Sequence, residues 1–192
     1  MIGLSEVTAG NPFERFPQLR AVWPDPKLQA LAEEATIEEV DRLSQHVKTG
    51  PIFLVVHVDE ATKAQRVVGI TGFFIYDETG LNLGLRWHGI VPDERGKGFS
   101  RIALEQVRDI ARQAVPGAER LIELIPCTPD RADIEPYFRA MGFKPHGPEE
   151  THEWAKHAWQ PFALDLAPEL VSAPDSTPLK DAESVAAKKP RF

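Results

Sequence analysis

The feature that most constrains the fold of this chain is a short turn, Arg95-Gly96-Lys97-Gly98, that joins a strand-like run to a helix-like one. The preceding run, residues 81–91, is rich in bulky apolar side chains and stops at Pro92, which has no N–H to donate to a strand ladder. Residues 99–114 place apolar side chains at helical spacing, and Pro116-Gly117 ends that pattern. The sequence therefore predicts a strand, a tight turn and a helix in succession.

The glycines of this turn predict an anion site. Gly96 and Gly98 can take positive φ and let a ligand approach the backbone closely. Free N–H groups at the start of a helix, together with the helix dipole, attract negative charge. Arg95, Lys97 and Arg101 are expected to add mobile positive charge, so the predicted ligand is a phosphate or pyrophosphate. The alternative is an ordinary strand-to-helix turn with basic residues on its surface.

Two common nucleotide-binding motifs do not fit this turn. A P-loop requires Gly-Lys followed by Ser or Thr, whereas Gly96-Lys97 is followed by Gly98-Phe99-Ser100. The dinucleotide-binding fingerprint requires three glycines, and the third glycine is absent here. Neither a P-loop nor a dinucleotide-binding site is predicted.

Two blocks of the chain together resemble a known family. The first block has an aliphatic residue, a proline, an arginine, two glycines and a small residue in fixed order: Ile90, Pro92, Arg95, Gly96, Gly98 and Ser100. The second block, residues 137–143, is a short helix-like segment that ends in Gly-Phe. Their order and spacing resemble the GNAT superfamily of N-acetyltransferases, in which the first block is the acyl-CoA loop. The resemblance covers roughly residues 35–166.

This resemblance implies an α/β fold of the α+β type, with a mixed, mostly antiparallel central sheet, flanking helices and splayed central strands. The strands that contain Ile90 and Glu123 are expected to part and admit acetyl-CoA. Residues 1–35, which four prolines interrupt, are expected to be an irregular N-terminal segment with no evident first strand. Residues 36–167 are expected to form the acetyltransferase-like domain, and residues 168–192 a flexible tail.

Secondary structure can be predicted along most of the remaining chain. A helix with Thr36 as its N-cap is expected to end before Gly50-Pro51, and a later helix is expected to begin at Asp133. Besides the run at 81–91, strands are predicted at residues 52–58, 66–76, 120–125, 142–146 and 159–166.

The resemblance also assigns an acetyl-CoA site. The pantetheine arm is expected to pair with the strand just before the turn, and the pyrophosphate to lie on the turn and the helix start. Thr128 stands where many relatives have an asparagine that bonds the cofactor, and its hydroxyl could replace that contact only in part. The predicted acetyl-CoA-binding residues are His88, Gly89, Ile90, Arg95, Gly96, Lys97, Gly98, Phe99, Ser100, Arg101 and Thr128.

Two residues compete for the role of general base. Glu123 stands where many family members carry a glutamate, and burial would raise its pKa toward neutrality. An outward-facing or arginine-paired strand glutamate is the alternative. His88 is the rival base because imidazole titrates near neutral pH, although a histidine packed beneath the cofactor is the alternative there. Arg86 stays protonated and cannot act as a base.

The leaving-group acid departs from the family pattern. Many relatives place a tyrosine four residues before the helix-ending glycine, and this chain has Phe138 there. Tyr137 lies one residue earlier, and because one helical step turns by about 100° its side chain could face elsewhere. Tyr137 is therefore a candidate acid, with a core or surface tyrosine as the alternative.

Other reactive side chains have simpler interpretations. Cys127, the single cysteine, is read as a plain reduced thiol rather than an acyl-enzyme nucleophile, because no histidine lies near it in sequence. The histidines and glutamates of residues 146–157 lack the tight spacing of metal ligands and are read as a solvated loop. No metal is predicted.

Composition limits the class of protein. The chain has 192 residues and 42% hydrophobic content, enough for one domain with a proper core. A net charge of −7 argues against a general nucleic-acid partner and suits a cationic acceptor. Because no long apolar run or signal peptide is evident, no membrane partner and a cytoplasmic location are expected.

The predicted function is transfer of an acetyl group from acetyl-CoA directly to a primary amine of a small-molecule or peptide acceptor. The expected partners are acetyl-CoA and that amine, and a homodimer is allowed. A non-catalytic acyl-CoA-binding module and a protein-modifying acetyltransferase whose tail recruits its target are the alternatives.

Overall fold

The computed structural model describes residues 1–23, 25–44, 50–128, 131–151 and 158–166. The strands are β1 Ile2–Glu6, β2 Ile52–Val58, β3 Gln65–Ile75, β4 Asn82–Leu85, β5 Gly89–Ile90, β6 Arg120–Pro126, β7 Lys144–Pro145 and β8 Trp159–Asp165. The helices are α1 Pro12–Arg15, α2 Pro26–Ser44, α3 Phe99–Ala114 and α4 Arg131–Ala140, with 3-10 helices at Pro17–Val22 and Pro92–Glu94.

The eight described strands form one mixed sheet in the order β1-β2-β3-β4-β6-β8-β7, and β5 pairs with β3. The β4–β6 ladder is parallel, and the other ladders are antiparallel. The predicted mixed, mostly antiparallel sheet with flanking helices is thus confirmed.

Both faces of the sheet are covered. On one face, α3 and α4 pack on side chains that include Leu83, Leu121 and Phe162, all fully buried. On the other face, the N-terminal helices pack on residues such as Ile52 and Ile70. Because alternate residues of a strand point to opposite faces, neighbours along these strands supply the two separate cores.

The N-terminal segment is more regular than predicted. The expectation of an irregular segment without a first strand is wrong, because β1 pairs antiparallel with β2 over Ile2–Glu6. Three of the prolines that interrupt the pattern, Pro12, Pro17 and Pro26, stand at helix starts, where their missing N–H costs nothing. Asn11 accepts a hydrogen bond from Phe13 N–H (2.9 Å) and Asp25 accepts one from Lys27 N–H (2.9 Å). Pro12 and Pro26 each follow one of these capping residues.

Two predicted helix caps are also wrong. Thr36 lies inside α2 and is fully buried, since that helix begins ten residues earlier at Pro26. Asp133 lies inside α4, which begins at Arg131 and contains Pro136. Residues that commonly cap helices occur at both positions, but the sequence prediction placed the start of each helix too late.

The predicted strand 81–91 is interrupted. Trp87 has a φ of +46°, an uncommon conformation for a bulky side chain, and separates β4 from β5. Its indole packs edge-on against Trp23 with ring centroids 5.7 Å apart. The remaining strands and α3 lie where they were predicted, including the closing pair of β7 and β8. The predicted tail, residues 168–192, lies outside the described residues.

Candidate active site

The central strands part next to the Gly-rich turn. The parallel β4–β6 ladder holds three pairs, Asn82↔Arg120, Leu83↔Leu121 and Gly84↔Ile122, and goes no further. Beyond it, β5 pairs with β3, while β6 continues beside β8 from Glu123 to Pro126. A gap therefore opens between β5 and the second half of β6, as the splayed-strand prediction required.

The β5 side of this gap has an open backbone edge. Val91 donates its N–H to Val68 of β3 (2.9 Å). Because successive N–H groups of an extended strand point to opposite edges, the N–H of Ile90 points into the gap. The Ile90 carbonyl accepts a hydrogen bond from Arg95 Nε at 3.0 Å. An extended ligand with amide groups would find a strand edge there.

The N-terminus of α3 is uncapped by any side chain. Gly98 is the N-cap, with φ +76°, and makes no side-chain cap hydrogen bond. Gly96 has φ +75°, and a Cβ added at either glycine meets no atom within 4 Å. The first N–H groups of a helix have no intrahelical acceptor, and no side chain of the described residues caps them here. This geometry suits an anion.

Two of the three basic side chains predicted to add positive charge at the turn, Arg95 and Lys97, contact other groups of the protein. Arg95 Nη2 donates to the carbonyl of Val22 (2.8 Å) and so ties the turn to the N-terminal helices. Lys97 Nζ lies 2.9 Å from the Glu94 carboxylate, which also pairs with Arg66. Any anion at this turn would therefore depend mainly on the backbone N–H groups.

Glu123 is an ionisable group in a poorly solvated place. Leu121 and Ile125, two residues to either side on β6, are fully buried beneath α3 and α4, so alternation directs Glu123 to the same face. Burial raises the pKa of the Glu123 carboxyl to about 8. Its Oε2 atom is buried and has no hydrogen-bond partner among the described residues.

His88 makes two hydrogen bonds through its ring. Nδ1 lies 3.0 Å from Thr71 Oγ1, and Nε2 lies 2.6 Å from Ser100 Oγ on the first turn of α3. Burial lowers the pKa of the imidazole to about 4. A neutral ring with both nitrogens engaged is a weak candidate for a general base, so these contacts favour Glu123 over His88.

Tyr137 reaches the same region from α4. Its hydroxyl hydrogen-bonds to Ser100 Oγ, and the ring is 41% exposed. Phe138, at the family position, is buried in the core against Phe143. Burial raises the pKa of Tyr137, the Ser100 hydrogen bond lowers it and the nearby Glu123 carboxylate raises it further. Among the predicted catalytic residues, the structure thus brings His88 and Tyr137 together through Ser100, and Glu123 lies within electrostatic reach of Tyr137.

The other predicted residues lie at the margin. Phe99 stacks on His57 with ring centroids 5.0 Å apart, which fixes the start of α3. Thr128 is half-buried in the bend after β6. Glu150 accepts a hydrogen bond from the hydroxyl of Tyr76 (2.6 Å). Within the described ranges no cluster of three or more His, Cys, Asp or Glu side chains could hold a metal.

One polar residue of the site was missed by the sequence analysis. Thr71, fully buried on β3, contacts His88, yet a threonine within an apolar strand has no pattern that predicts such a partner. Trp23 was also missed, because it lies within the proline-interrupted segment that was expected to be irregular.

A family model described as the acetyltransferase (GNAT) family matches residues 15–143, well over half of the chain. The chain belongs to the GNAT acetyltransferase family. Membership supports an acyltransferase activity and implies acetyl-CoA as the co-substrate. No curated protein sequence matches this GNAT protein significantly.

Solved structures agree with the fold. A GNAT-family protein from Desulfovibrio desulfuricans is 14% identical, with a TM-score of 0.67, and the match covers 87% of this chain and 100% of that one. A mutant of the spermidine N-acetyltransferase from Vibrio cholerae is 15% identical, with a TM-score of 0.58 and coverage of 86% and 94%. A dodecameric structure of that enzyme is 14% identical, with a TM-score of 0.55 and coverage of 86% and 94%.

These similarities bear on the fold of the GNAT protein and do not identify its acceptor. In the described part of the chain, none of the helices has the length and apolar character needed to cross a membrane.

Proposed function

We propose that this GNAT protein is an N-acetyltransferase that moves an acetyl group from acetyl-CoA directly to a primary amine of a small-molecule or peptide acceptor. The observation that carries this proposal is the Glu123 carboxyl, which is poorly solvated, has a raised pKa and lies on β6 where the central strands part. A base with a pKa near 8 is suited to removing a proton from an ammonium group at neutral pH.

The residues present fit acetyl-CoA. The open edge at Ile90 would pair with the pantetheine amides, and the uncapped start of α3 would bind the pyrophosphate through its N–H groups. Gly96 and Gly98 leave room for the phosphates, because no side chain projects from either residue. When bound, acetyl-CoA supplies an activated thioester.

Glu123 would act as the base. An amine acceptor arrives mostly protonated, and the Glu123 carboxylate, directly or through a water, would take that proton. Desolvation favours this transfer, because protonation neutralises a buried negative charge. Holding the amine and the thioester at contact distance would supply much of the rate.

Tyr137 would act as the acid. Its hydroxyl lies at the contact between α3 and α4 and keeps its proton at neutral pH, since burial raises its pKa. A proton from Tyr137 would go to the sulfur as the carbon–sulfur bond breaks. Direct transfer assigns no covalent role to Cys127.

The acceptor is best sought among cationic amines. The net charge of −7 favours cationic partners. Structural neighbours include spermidine N-acetyltransferases, so polyamines are a reasonable first class to test. Peptides with a free amine are the second class to test.

The test is acetyl-CoA turnover against a library of polyamines, other small amines and peptides, with acetylated products identified by mass spectrometry. We expect one class to give products, Glu123→Gln to lose most of that turnover and the matched control Cys127→Ala to keep it. Loss of turnover in Cys127→Ala would overturn direct transfer. Tight acetyl-CoA binding without turnover of any amine would favour a non-catalytic acyl-CoA-binding module instead.

A further inference from the structure

Four side chains form a continuous line of hydrogen bonds from the buried sheet to the surface of the site. Thr71 Oγ1 on β3 lies 3.0 Å from His88 Nδ1, and His88 Nε2 lies 2.6 Å from Ser100 Oγ. Ser100 Oγ in turn contacts the Tyr137 hydroxyl on α4. The line therefore connects three separate elements and ends at the proposed acid.

The buried end of this line sets the direction of its first two bonds. Thr71 is fully buried, and His88 Nδ1 is the one partner of its hydroxyl among the described residues. A buried hydroxyl without another acceptor must donate its proton to that nitrogen, because an unused buried donor is costly. Nδ1 therefore accepts, which places the ring proton on Nε2 and makes Nε2 the donor to Ser100.

The same logic continues to the surface. Ser100 Oγ accepts from His88, so its own proton is free to be donated to the oxygen of Tyr137. When Ser100 donates to Tyr137, the proton of Tyr137 points away from Ser100.

We propose that His88 and Ser100 are positioning residues that aim the hydroxyl proton of Tyr137 at the departing sulfur of the thioester. This inference rests on the proposed function, in which Tyr137 is the acid. It changes the role of His88 from a rival base to an orienting group that acts through Ser100. Thr71 fixes the tautomer of His88, as a carboxylate or carbonyl often does for functional histidines.

The proton balance of the step is simple. As the carbon–sulfur bond breaks, its electron pair stays on sulfur, and the Tyr137 proton joins that sulfur to give a thiol. The phenolate left on Tyr137 is stabilised by the hydrogen bond from Ser100 and then takes a proton from solvent water, which the partly exposed ring can reach. No proton needs to pass along the line itself.

Removing the Ser100 hydroxyl should change both rate and pH dependence. Ser100→Ala should lower kcat roughly fivefold to tenfold, the size expected for one hydrogen bond. The charged groups near Tyr137 are Glu123 from β6 and Arg95 from the turn, and neither is altered by this change. Because Ser100 lowers the pKa of Tyr137, its loss should move the alkaline fall in kcat to higher pH.

A double-mutant cycle separates positioning from a general structural role. Ser100→Ala and His88→Gln should each lower kcat in the wild-type background and have no further effect, within about twofold, when Tyr137→Phe is already present. Ser100→Thr should restore most of the rate because it keeps the hydroxyl. His57→Gln is the matched control, since His57 also packs on the first turn of α3 but lies outside the line.

A second measurement needs no acceptor and no variant. The imidazole ¹⁵N chemical shifts of His88 in the full chain should show a neutral ring between pH 5 and 8, roughly a unit or more above its low pKa, with the proton on Nε2. A proton on Nδ1, or equal losses from Ser100→Ala with and without the Tyr137 hydroxyl, would overturn the positioning role while leaving the acetyltransferase proposal intact. Failure of the wild type to acetylate any amine would instead overturn the proposed function, and this inference with it.

Discussion

Glu123 can be tested by protein stability, without any acceptor. Its carboxyl has a pKa of about 8 in the folded chain and an ordinary value of 4.5. A pKa raised by folding gives stability that is present below the ordinary pKa and is lost as pH rises through the folded one. The free energy of unfolding of the wild type, measured relative to that of Glu123→Gln, should therefore fall by more than about 2 kcal/mol between pH 5 and pH 9.

Urea unfolding of both proteins at the two pH values measures this difference. Comparing wild type with Glu123→Gln at each pH cancels the contributions of the other titrating groups. Parallel stability curves across this range would show that the Glu123 carboxyl is ordinary and well solvated.

Sequence reasoning at the residue scale named the candidate reactive groups and did not predict the side chains that contact them. Glu123, Tyr137 and Ser100 stand at positions that a family pattern specifies, or one residue from it. Thr71 does not, because its contact with His88 joins strands 17 residues apart in sequence. The direction in which Tyr137 faces likewise depends on how α4 packs on α3, which no local spacing reports.

At the scale of elements, the turn before α3 makes a specific prediction about acetyl-CoA. Gly98→Val would place a branched side chain where the backbone has φ +76° and where the phosphates would bind. We expect CoA affinity to fall at least tenfold by calorimetry, while the affinity for acetyl-pantetheine, which lacks the pyrophosphate, changes little.

Gly80→Val is the matched control for backbone strain. Gly80 has φ +70° and equally open surroundings, in the turn before β4. Both variants should lose similar stability, but CoA affinity should fall in Gly98→Val alone. Unchanged CoA binding by Gly98→Val would show that the phosphates do not bind at this turn.

A buried ion pair joins α2 to the central sheet and predicts a large loss of stability. Arg86 Nη1 lies 2.8 Å from Glu39 Oε2, and the two side chains are 14% and 4% exposed. Arg86→Met would leave a buried carboxylate without this cation and should cost about 3–5 kcal/mol. Replacing both residues, as Arg86→Met with Glu39→Leu, should cost less, and urea unfolding of the two variants checks the order.

The positions of helices and strands were predicted well in segments with regular apolar spacing and poorly in the segment that contains several prolines. The stripe of α3 lies against the core as its spacing indicates, with Val107 and Ala111 fully buried. The N-terminal prolines were read as breaks, although three of them begin helices and two of these directly follow a capping residue. The break in strand 81–91 was missed because it results from the tertiary packing of Trp87 on Trp23.

At the scale of the whole molecule, the last structural contact that the described residues make is at Leu166. This residue is fully buried and donates its N–H to the Glu119 carbonyl (2.7 Å), and its own carbonyl accepts from Arg112. Deleting residues 168–192 keeps these contacts. We expect the melting temperature to fall by less than about 3 °C, which corresponds to about 1 kcal/mol, with acetyl-CoA affinity unchanged. A larger fall would show that the deleted residues stabilise the domain or an oligomer.

The overall architecture follows from one interruption in an otherwise continuous sheet. The gap between β5 and β6 lies beside the start of α3 and the side chains of His88, Tyr137 and Glu123. The blocks around Ile90 and Tyr137 indicated this arrangement from sequence, because together they specify a family fold. The acceptor could not be predicted, since no sequence pattern in this chain identifies the groups that would bind it.

The central claim is direct transfer with Glu123 as the base, and the pH dependence of kcat/KM tests it most directly. With an amine accepted by the wild type, kcat/KM should rise with an apparent pKa near 8, the value for Glu123. Glu123→Gln should lower kcat by roughly 10² to 10⁴ and lose that rise, leaving only the ionisation of the amine itself. His88→Gln, the control, should keep the rise. A near wild-type rate in Glu123→Gln, with an unchanged rise of kcat/KM with pH, would contradict the account. Loss of that rise in His88→Gln alone would identify His88 as the base.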